Sequence, residues 1–405
     1  MRLIRRRHRR RAIAAAVVLV LLLAGGVVAW RQLRQRTECA VDPVAARELD
    51  RLADFTRWLA AGRARGYIGE VGWPSGPDSA AWNAVAGAWY RQADRDGLWV
   101  TAWTAGQWWP PAYPLAVYRT AADGGTTPGP QARVVEAHAD APTALRGVAL
   151  AGGAFGTSED GGREYSNAAP GRYGVDYHYD DAATYSHLGS RGLDIVRIAV
   201  TWERLQPRLG GPLAAAELTR LRAAVDAAGN AGLGVVLDLH NYGAYWVRRG
   251  QGAVPLTLGS AGLPATALAD FWRRMAVAFR GASGVTAYGL MNEPGHLSPV
   301  ERTGAAVWED ASQRTVDAIR ATGDRRLVMV SGYGGASPAD WSARHPRAWI
   351  HDPARAVRYE AHQYFDADGS GHYALPYARE RAAAAAKESR TVLCGTSTIP
   401  LWGDR

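Results

Sequence analysis

Eight short apolar runs, separated by segments with helical spacing, constrain this chain more than any other feature. Six follow residue 145, at 146–153, 194–203, 234–242, 285–293, 326–332 and 357–364, and two precede it, at 66–74 and 97–105. Continuous hydrophobic runs are the mark of parallel strands covered on both faces. Between them, apolar residues recur at helical intervals, as with Leu49, Leu52, Phe55 and Leu59 in 45–59. Eight strands alternating with helices is the number that closes a (β/α)8 barrel. A chain of 405 residues holds one such barrel with appendages. The expected body runs over 44–390. A stretch at 121–144 that opens rich in Gly, Thr and Pro, without periodicity, links a front pair of strands (44–120) to the six that follow (145–390).

In such a barrel the chemistry sits where strands end. The run VTAYGLMNEP at 285–294 stops in an amide, a carboxylate and a proline. Proline cannot continue an ordinary ladder, so Glu293 is delivered to the rim. Three letters alone are weak, and a solvated loop glutamate is the bland alternative. Thr266 reads as the N-cap of the helix before this strand.

Four motifs in order carry a family resemblance: IVRIAVTWERLQP at 195–207, LDLHNY at 237–242, LMNEP at 290–294 and EAHQY at 360–364. Together they resemble glycoside hydrolase family 5, the cellulase-like retaining hydrolases, over about 145–389. The family continues to a seventh strand reading roughly Gly-Glu-Phe-Gly-x-Pro, whose glutamate is the nucleophile, and to an eighth bearing a tryptophan. Here that place reads CGTSTIP at 394–400, without a carboxylate. The front of the chain supplies what is missing. GYIGEVGWP at 66–74 is similar to the seventh-strand motif with its glutamate intact, and WVTAW at 99–103 to the eighth. The resemblance therefore implies a circularly permuted TIM barrel in which strands seven and eight precede strands one to six.

The resemblance also implies roles. Glu70 is the nucleophile and Glu293 the acid/base of a retaining, double-displacement hydrolysis, which needs two carboxyl groups about 5–5.5 Å apart across the scissile bond. Arg197 orients the nucleophile, Tyr364 hydrogen-bonds it, and His362 supports the site. His240 binds sugar, Asn292 meets the 2-hydroxyl, and Trp103 is the platform under the sugar. The bland readings are a buried barrel ion pair for Arg197, a satisfied core imidazole for His240 and plain packing for Trp103. Of the other aromatics near strand ends, Trp108, Trp109 and Trp246 are expected in the cleft, ahead of Trp73, Tyr113, Trp202 and Tyr242. No metal or organic cofactor is implied. The acidic loop at 158–160 matches no calcium signature.

The net charge of +9 first suggests nucleic acid, but ten Arg fall within residues 1–36, leaving 37 basic against 38 acidic residues. The basicity belongs to a tail, so nucleic-acid binding loses its support. Sixteen Trp and seventeen Tyr against five Phe suit a surface that stacks on partly polar sugar. A basic tail at 1–11 precedes an uncharged apolar run at 12–30, about the length of a membrane-spanning helix. The positive-inside rule puts the body outside the cell, behind a stalk at 31–43. A cleaved signal peptide is the rival, and would make the protein secreted. Cys39 and Cys394, the only cysteines, can pair in an oxidising compartment. A tail at 391–405 has no assigned role. The expectation is a membrane-anchored, extracytoplasmic, monomeric glycosidase acting on a β-linked glycan. The alternative is a catalytically inactive glycan-binding pseudoenzyme of the cell envelope, the case in which Thr396 occupies the nucleophile's place.

Overall fold

The structure, a computed structural model, describes residues 42–121, 124–141, 143–157, 165–250, 252–295, 297 and 303–387. The apolar run at 12–30, both cysteines, Thr396, the loop 158–160 and the tail 391–405 lie outside the described residues. Among those described, no helix is long and apolar enough to cross a membrane.

In chain order the front segment gives α1 (Pro43–Ala61), β1 (Gly66–Gly72), α2 (Ser79–Arg95) and β2 (Trp99–Ala105). The connection after β2, which includes the 121–144 stretch expected as an aperiodic linker, holds a small hairpin, β3 (Tyr118–Thr120) and β4 (Thr126–Pro128), and a short α3 (Ala132–Glu136). Strands this short leave no periodicity to detect. Then come β5 (Arg146–Leu150), α4 (Ala182–Ser190), β6 (Ile195–Val200), α5 (Trp202–Leu205), α6 (Ala215–Asn230) and β7 (Gly234–Leu239). A second hairpin, β8 (Ala244–Arg249) with β9 (Gly252–Thr257), was not anticipated. The chain finishes with α7 (Ala265–Ala278), β10 (Val285–Gly289), α8 (Gly304–Arg320), β11 (Leu327–Ser331), α9 (Trp341–Arg344), β12 (Val357–Tyr364) and α10 (Tyr377–Lys387).

Eight of these strands form one closed ring in the order β1-β12-β11-β10-β7-β6-β5-β2, and every pairing is parallel. The front strands close it: Tyr67 of β1 registers with Glu360 of β12, and Val100 of β2 with Arg146 of β5. Side chains weld the same seam. Arg47 donates to the Phe365 carbonyl at 2.6 Å and to Glu380 at 3.1 Å, and the Trp89 indole donates to Gln363 at 3.0 Å. Asp42 starts α1 by accepting from the Val44 amide at 2.9 Å, with Pro43 where a missing amide hydrogen costs nothing. Thr303 caps α8 in the same way. Thr266 does not cap α7, because Pro264 holds the N-cap position and the helix already begins at Ala265.

Two layers of core follow from the strand alternation. Tyr67, Ile195, Val236, Ala287 and Met329 point inward and fill the barrel, while a larger apolar shell packs strands against helices. Each such buried side chain is worth roughly 1.5–3 kcal/mol. With the interior filled, polar groups at the strand ends face a rigid floor.

Candidate active site

Glu70 sits within β1, whose seven residues are all buried. Arg197 of β6 donates from Nη1 to one of its oxygens at 2.9 Å, and the Tyr364 hydroxyl donates to the other at 2.6 Å. Glu293 lies just past β10, where the chain still follows the wall through the Asn292 amide, which donates to the Leu239 carbonyl at 2.7 Å. Its φ is +40°, a left-handed conformation that a glutamate rarely adopts, and one that marks functional sites. The two carboxylates differ in access: the side chain of Glu70 is 4% exposed and that of Glu293 26%. An oxygen of each, with Nδ1 of His362, lies within 4.8 Å of the others.

His362 bridges the pair. Its Nδ1 is 2.8 Å from Glu293 and 3.7 Å from Glu70, and its Nε2 is 3.2 Å from Glu360. Burial alone would lower the imidazole's pKa, but the charge of Glu70 and the hydrogen bonds to Glu293 and Glu360 push it up to about 10. His362 is therefore an imidazolium at neutral pH, donating from both nitrogens. Glu70, Glu293 and His362 bring three ligand atoms within 4.8 Å of one another, a spacing that can hold a divalent cation once the ring gives up a proton.

Beneath the carboxylates, Arg197 is fully buried and multiply paired. Its Nη2 donates to Asn292 at 2.7 Å and lies 3.0 Å from Asp238 and 3.1 Å from Glu360. Burial would lower its pKa, but Asp238, Glu360 and Glu70 raise it well above the usual value, so its charge is permanent. Burial would likewise raise Asp238, but Arg197 and then His240 hold it below the usual carboxylate range. The burial of Tyr364 and the neighbouring Glu70 and Glu293 charges raise that phenol's pKa, so it stays a donor.

Asp238 and Glu360 were missed from sequence, although a signal existed. Each stands two residues before a singled-out histidine, Asp238 before His240 and Glu360 before His362, and so shares its strand face. Asp238 accepts from His240 Nδ1 at 2.7 Å, which leaves Nε2 to meet the Tyr242 hydroxyl at 3.1 Å and the Asn292 amide at 3.3 Å.

These groups open into a cleft of about 670 Å³. Trp103 lines it, its ring nearly parallel to His240 at 13° and 5.9 Å. The expected cleft aromatics are rearranged. Trp109 lies behind Tyr113, stacked on it at 4.0 Å, so Tyr113 and Tyr242 face the cavity instead. Trp108 packs on Phe155 and His178, and Trp246 is half-buried in the β8–β9 hairpin, its amide bonded to Glu203; none of these three tryptophans lines the cleft. Trp73 and Trp202 belong to the core.

Comparison with known proteins agrees with the motifs. The family model Cellulase (glycosyl hydrolase family 5) matches residues 155–395. Endoglucanase gh5-1 of Neurospora crassa is 30% identical over 220 residues, covering 54% of this chain and 52% of the relative. Endo-beta-1,4-glucanase A of Emericella nidulans is 30% identical over 230 residues, covering 55% and 65%. The chain thus spans about half to two thirds of the length of these curated relatives. Among solved structures, the Pseudomonas stutzeri endoglucanase Cel5A in complex with cellobiose is 32% identical with a TM-score of 0.47, covering 56% of this chain and 62% of that one. An endo-beta-1,4-glucanase of Xanthomonas axonopodis pv. citri is 32% identical with a TM-score of 0.47, covering 58% and 71%. With the model matched over more than half its length, this chain belongs to glycosyl hydrolase family 5.

Proposed function

We propose that the protein is a retaining hydrolase of a β-linked glycan, of the endo-β-1,4-glucanase type, with Glu70 as nucleophile and Glu293 as acid/base. The observation that carries this reading is the approach of the two carboxylates to within 4.8 Å, oxygen to oxygen. Inverting enzymes keep their carboxyl groups about 6.5–9.5 Å apart to admit a water, and retaining ones about 5–5.5 Å. The asymmetry fits the roles: the nucleophile is buried under two donors, and the acid is reached from solvent.

Glu70 attacks the anomeric carbon as Glu293 protonates the departing oxygen, so the C–O bond breaks and a glycosyl ester forms on Glu70. Glu293, now a carboxylate, takes a proton from water, whose oxygen attacks the same carbon and releases Glu70. Arg197 and Tyr364 donate to Glu70 and keep it aimed. Asn292, fixed by Arg197 and His240, is positioned for the 2-hydroxyl, and Trp103 forms the floor.

The closure of the ring by β1 and β2 supports a further part of the reading, that the chain is a circular permutation of its family, with strands seven and eight moved to the front. The basic tail and the apolar run at 12–30 support a single-pass anchor with the barrel outside the membrane. Protease accessibility of the barrel on intact cells tests that arrangement.

The decisive experiment is covalent trapping with an aryl 2-deoxy-2-fluoro-β-cellobioside followed by peptide mapping. The label is expected on the peptide bearing Glu70. A label on another carboxylate would overturn the assignment.

A further inference from the structure

The ring order divides the cleft into two halves. From Glu70 on β1, one arc reaches Glu293 through β12 and β11, and the other through β2, β5, β6 and β7. A glycosidic bond lying between two carboxylates has its glycone over one arc and its leaving group over the other. Asn292 and His240 meet on the β7 side, with Trp103 parallel to His240, so the groups that hold a sugar ring lie along the longer arc. The leaving group then faces the loops after β11 and β12.

The two halves are made of different material. The long arc presents Trp103, Tyr113, Tyr242 and His240. The short arc is lined by Gly334, Gly335, residues 337–340, Arg344 and residues 368–372, with Arg51 beside them. Apart from Tyr364, whose hydroxyl is committed to Glu70, no described residue lining this half is Trp, Tyr or Phe.

Local geometry explains the bareness. Gly334 and Gly335 have φ of +80° and +77°, which L side chains resist. A Cβ on Gly334 would meet Arg344 Nη1 at 1.8 Å. Arg344 donates to the Tyr333 and Gly334 carbonyls and pins the turn with its backbone toward the cleft. After β12, Asp366 accepts from the Gly371 and Tyr373 amides and winds the loop so that Gly369, Ser370 and Gly371 form the rim. The nearby aromatics are turned away: Tyr373 bonds the Gly72 carbonyl and packs on Trp82, while Tyr333 packs over Gly304.

An aromatic face gathers the C–H face of a pyranose, whereas the peptide groups and solvated polar side chains of the short arc mainly exchange one set of hydrogen bonds with water for another, for a smaller gain. We propose that substrate recognition in this cleft is one-sided, an inference that rests on the glycosidase reading. Sugars are selected along the Trp103 arc, and the leaving group is accepted almost without regard to what it is. The substrate class is therefore β-glycosides whose specificity lies in the glycone, with short or non-carbohydrate leaving groups cleaved as readily as long ones.

The test uses the whole protein, an aryl β-cellobioside, and cello-oligosaccharides of increasing length cleaved in ¹⁸O-water, so that the sugars on each side of every cut are counted. Each added leaving-side sugar is expected to change kcat/KM by no more than about threefold, while added glycone-side sugars raise it by about tenfold or more. A larger rise with leaving-side sugars, alongside turnover of the aryl glycoside, would overturn this inference and leave the hydrolase reading standing. If neither the aryl glycoside nor any oligosaccharide is cleaved, both fall.

Discussion

Removing the charge of His362 probes the site's electrostatics most directly. Three carboxylates raise this imidazole from the ordinary 6.5 to about 10 against the pull of burial. That gap corresponds to roughly 5 kcal/mol at about 1.4 kcal/mol per unit, a ceiling because Glu70, Glu293 and Glu360 share the one proton donor. The folded pKa lies above the unfolded one. The stabilisation is therefore complete below about pH 6.5, falls as the unfolded chain loses its proton, and is gone above about pH 10. Denaturant unfolding of the wild type and of His362→Gln at about pH 6, 8 and 10 should show a gap of several kcal/mol that narrows steadily with pH. Ring-nitrogen NMR at about pH 8 should show both imidazole nitrogens protonated. A ring that titrates near its ordinary value, or a stability gap that ignores pH, would refute the reasoning.

Three other substitutions separate chemistry from architecture. Glu70→Gln should lower kcat by about 10⁴-fold or more in an aryl-glycoside assay while the thermal midpoint stays close to wild type, since Arg197 keeps Asp238 and Glu360. Tyr364→Phe removes one short hydrogen bond to a charged group, worth about 1.5–3 kcal/mol, and should cost roughly 10- to 100-fold in kcat with little effect on folding. Arg197→Met leaves Glu70, Asp238 and Glu360 buried without their cation, at about 3–5 kcal/mol. Because Asp238 has a depressed folded pKa, that loss should be full at neutral pH and shrink as pH falls through about 4, read by thermal unfolding across pH.

The barrel was legible because its strands are hydrophobic on both faces and evenly spaced, a signal that survives without knowledge of contacts. Glu70 and Glu293 were legible for another reason, since both stand at or near the ends of such runs. The β8–β9 hairpin was not, because Val247, Arg248, Arg249, Ala253 and Val254 alternate too weakly to announce a strand pair. The cleft aromatics misled for a third reason. Position near a strand end says that a ring is at the mouth, but not which member of a stack faces inward. Trp109 and Tyr113 lie four residues apart in one loop and stack at 4.0 Å, and only the fold decides that Tyr113 is in front. Asp238 and Glu360 are a different kind of miss, since each stands two residues before a histidine already singled out, and strand alternation alone would have placed both on the same face.

The site depends on ring closure in a way that its individual residues do not reveal. Glu70 takes its two donors from Arg197 and Tyr364, which stand 127 and 294 residues away in the chain. Neither bond exists unless β1 stands between β12 and β2. That placement also buries a carboxylate, which is costly unless a fixed cation and a donor are at hand, and here β6 and β12 supply both. Glu293 needs none of this: it rides on β10 within the contiguous later segment and keeps a quarter of its side chain in solvent. The asymmetry between a deeply held carboxylate and an accessible one therefore follows from where each strand stands in the ring. One carboxylate belongs to the seam, where both of its hydrogen-bond donors are distant in sequence, and the other to the later segment that the seam completes.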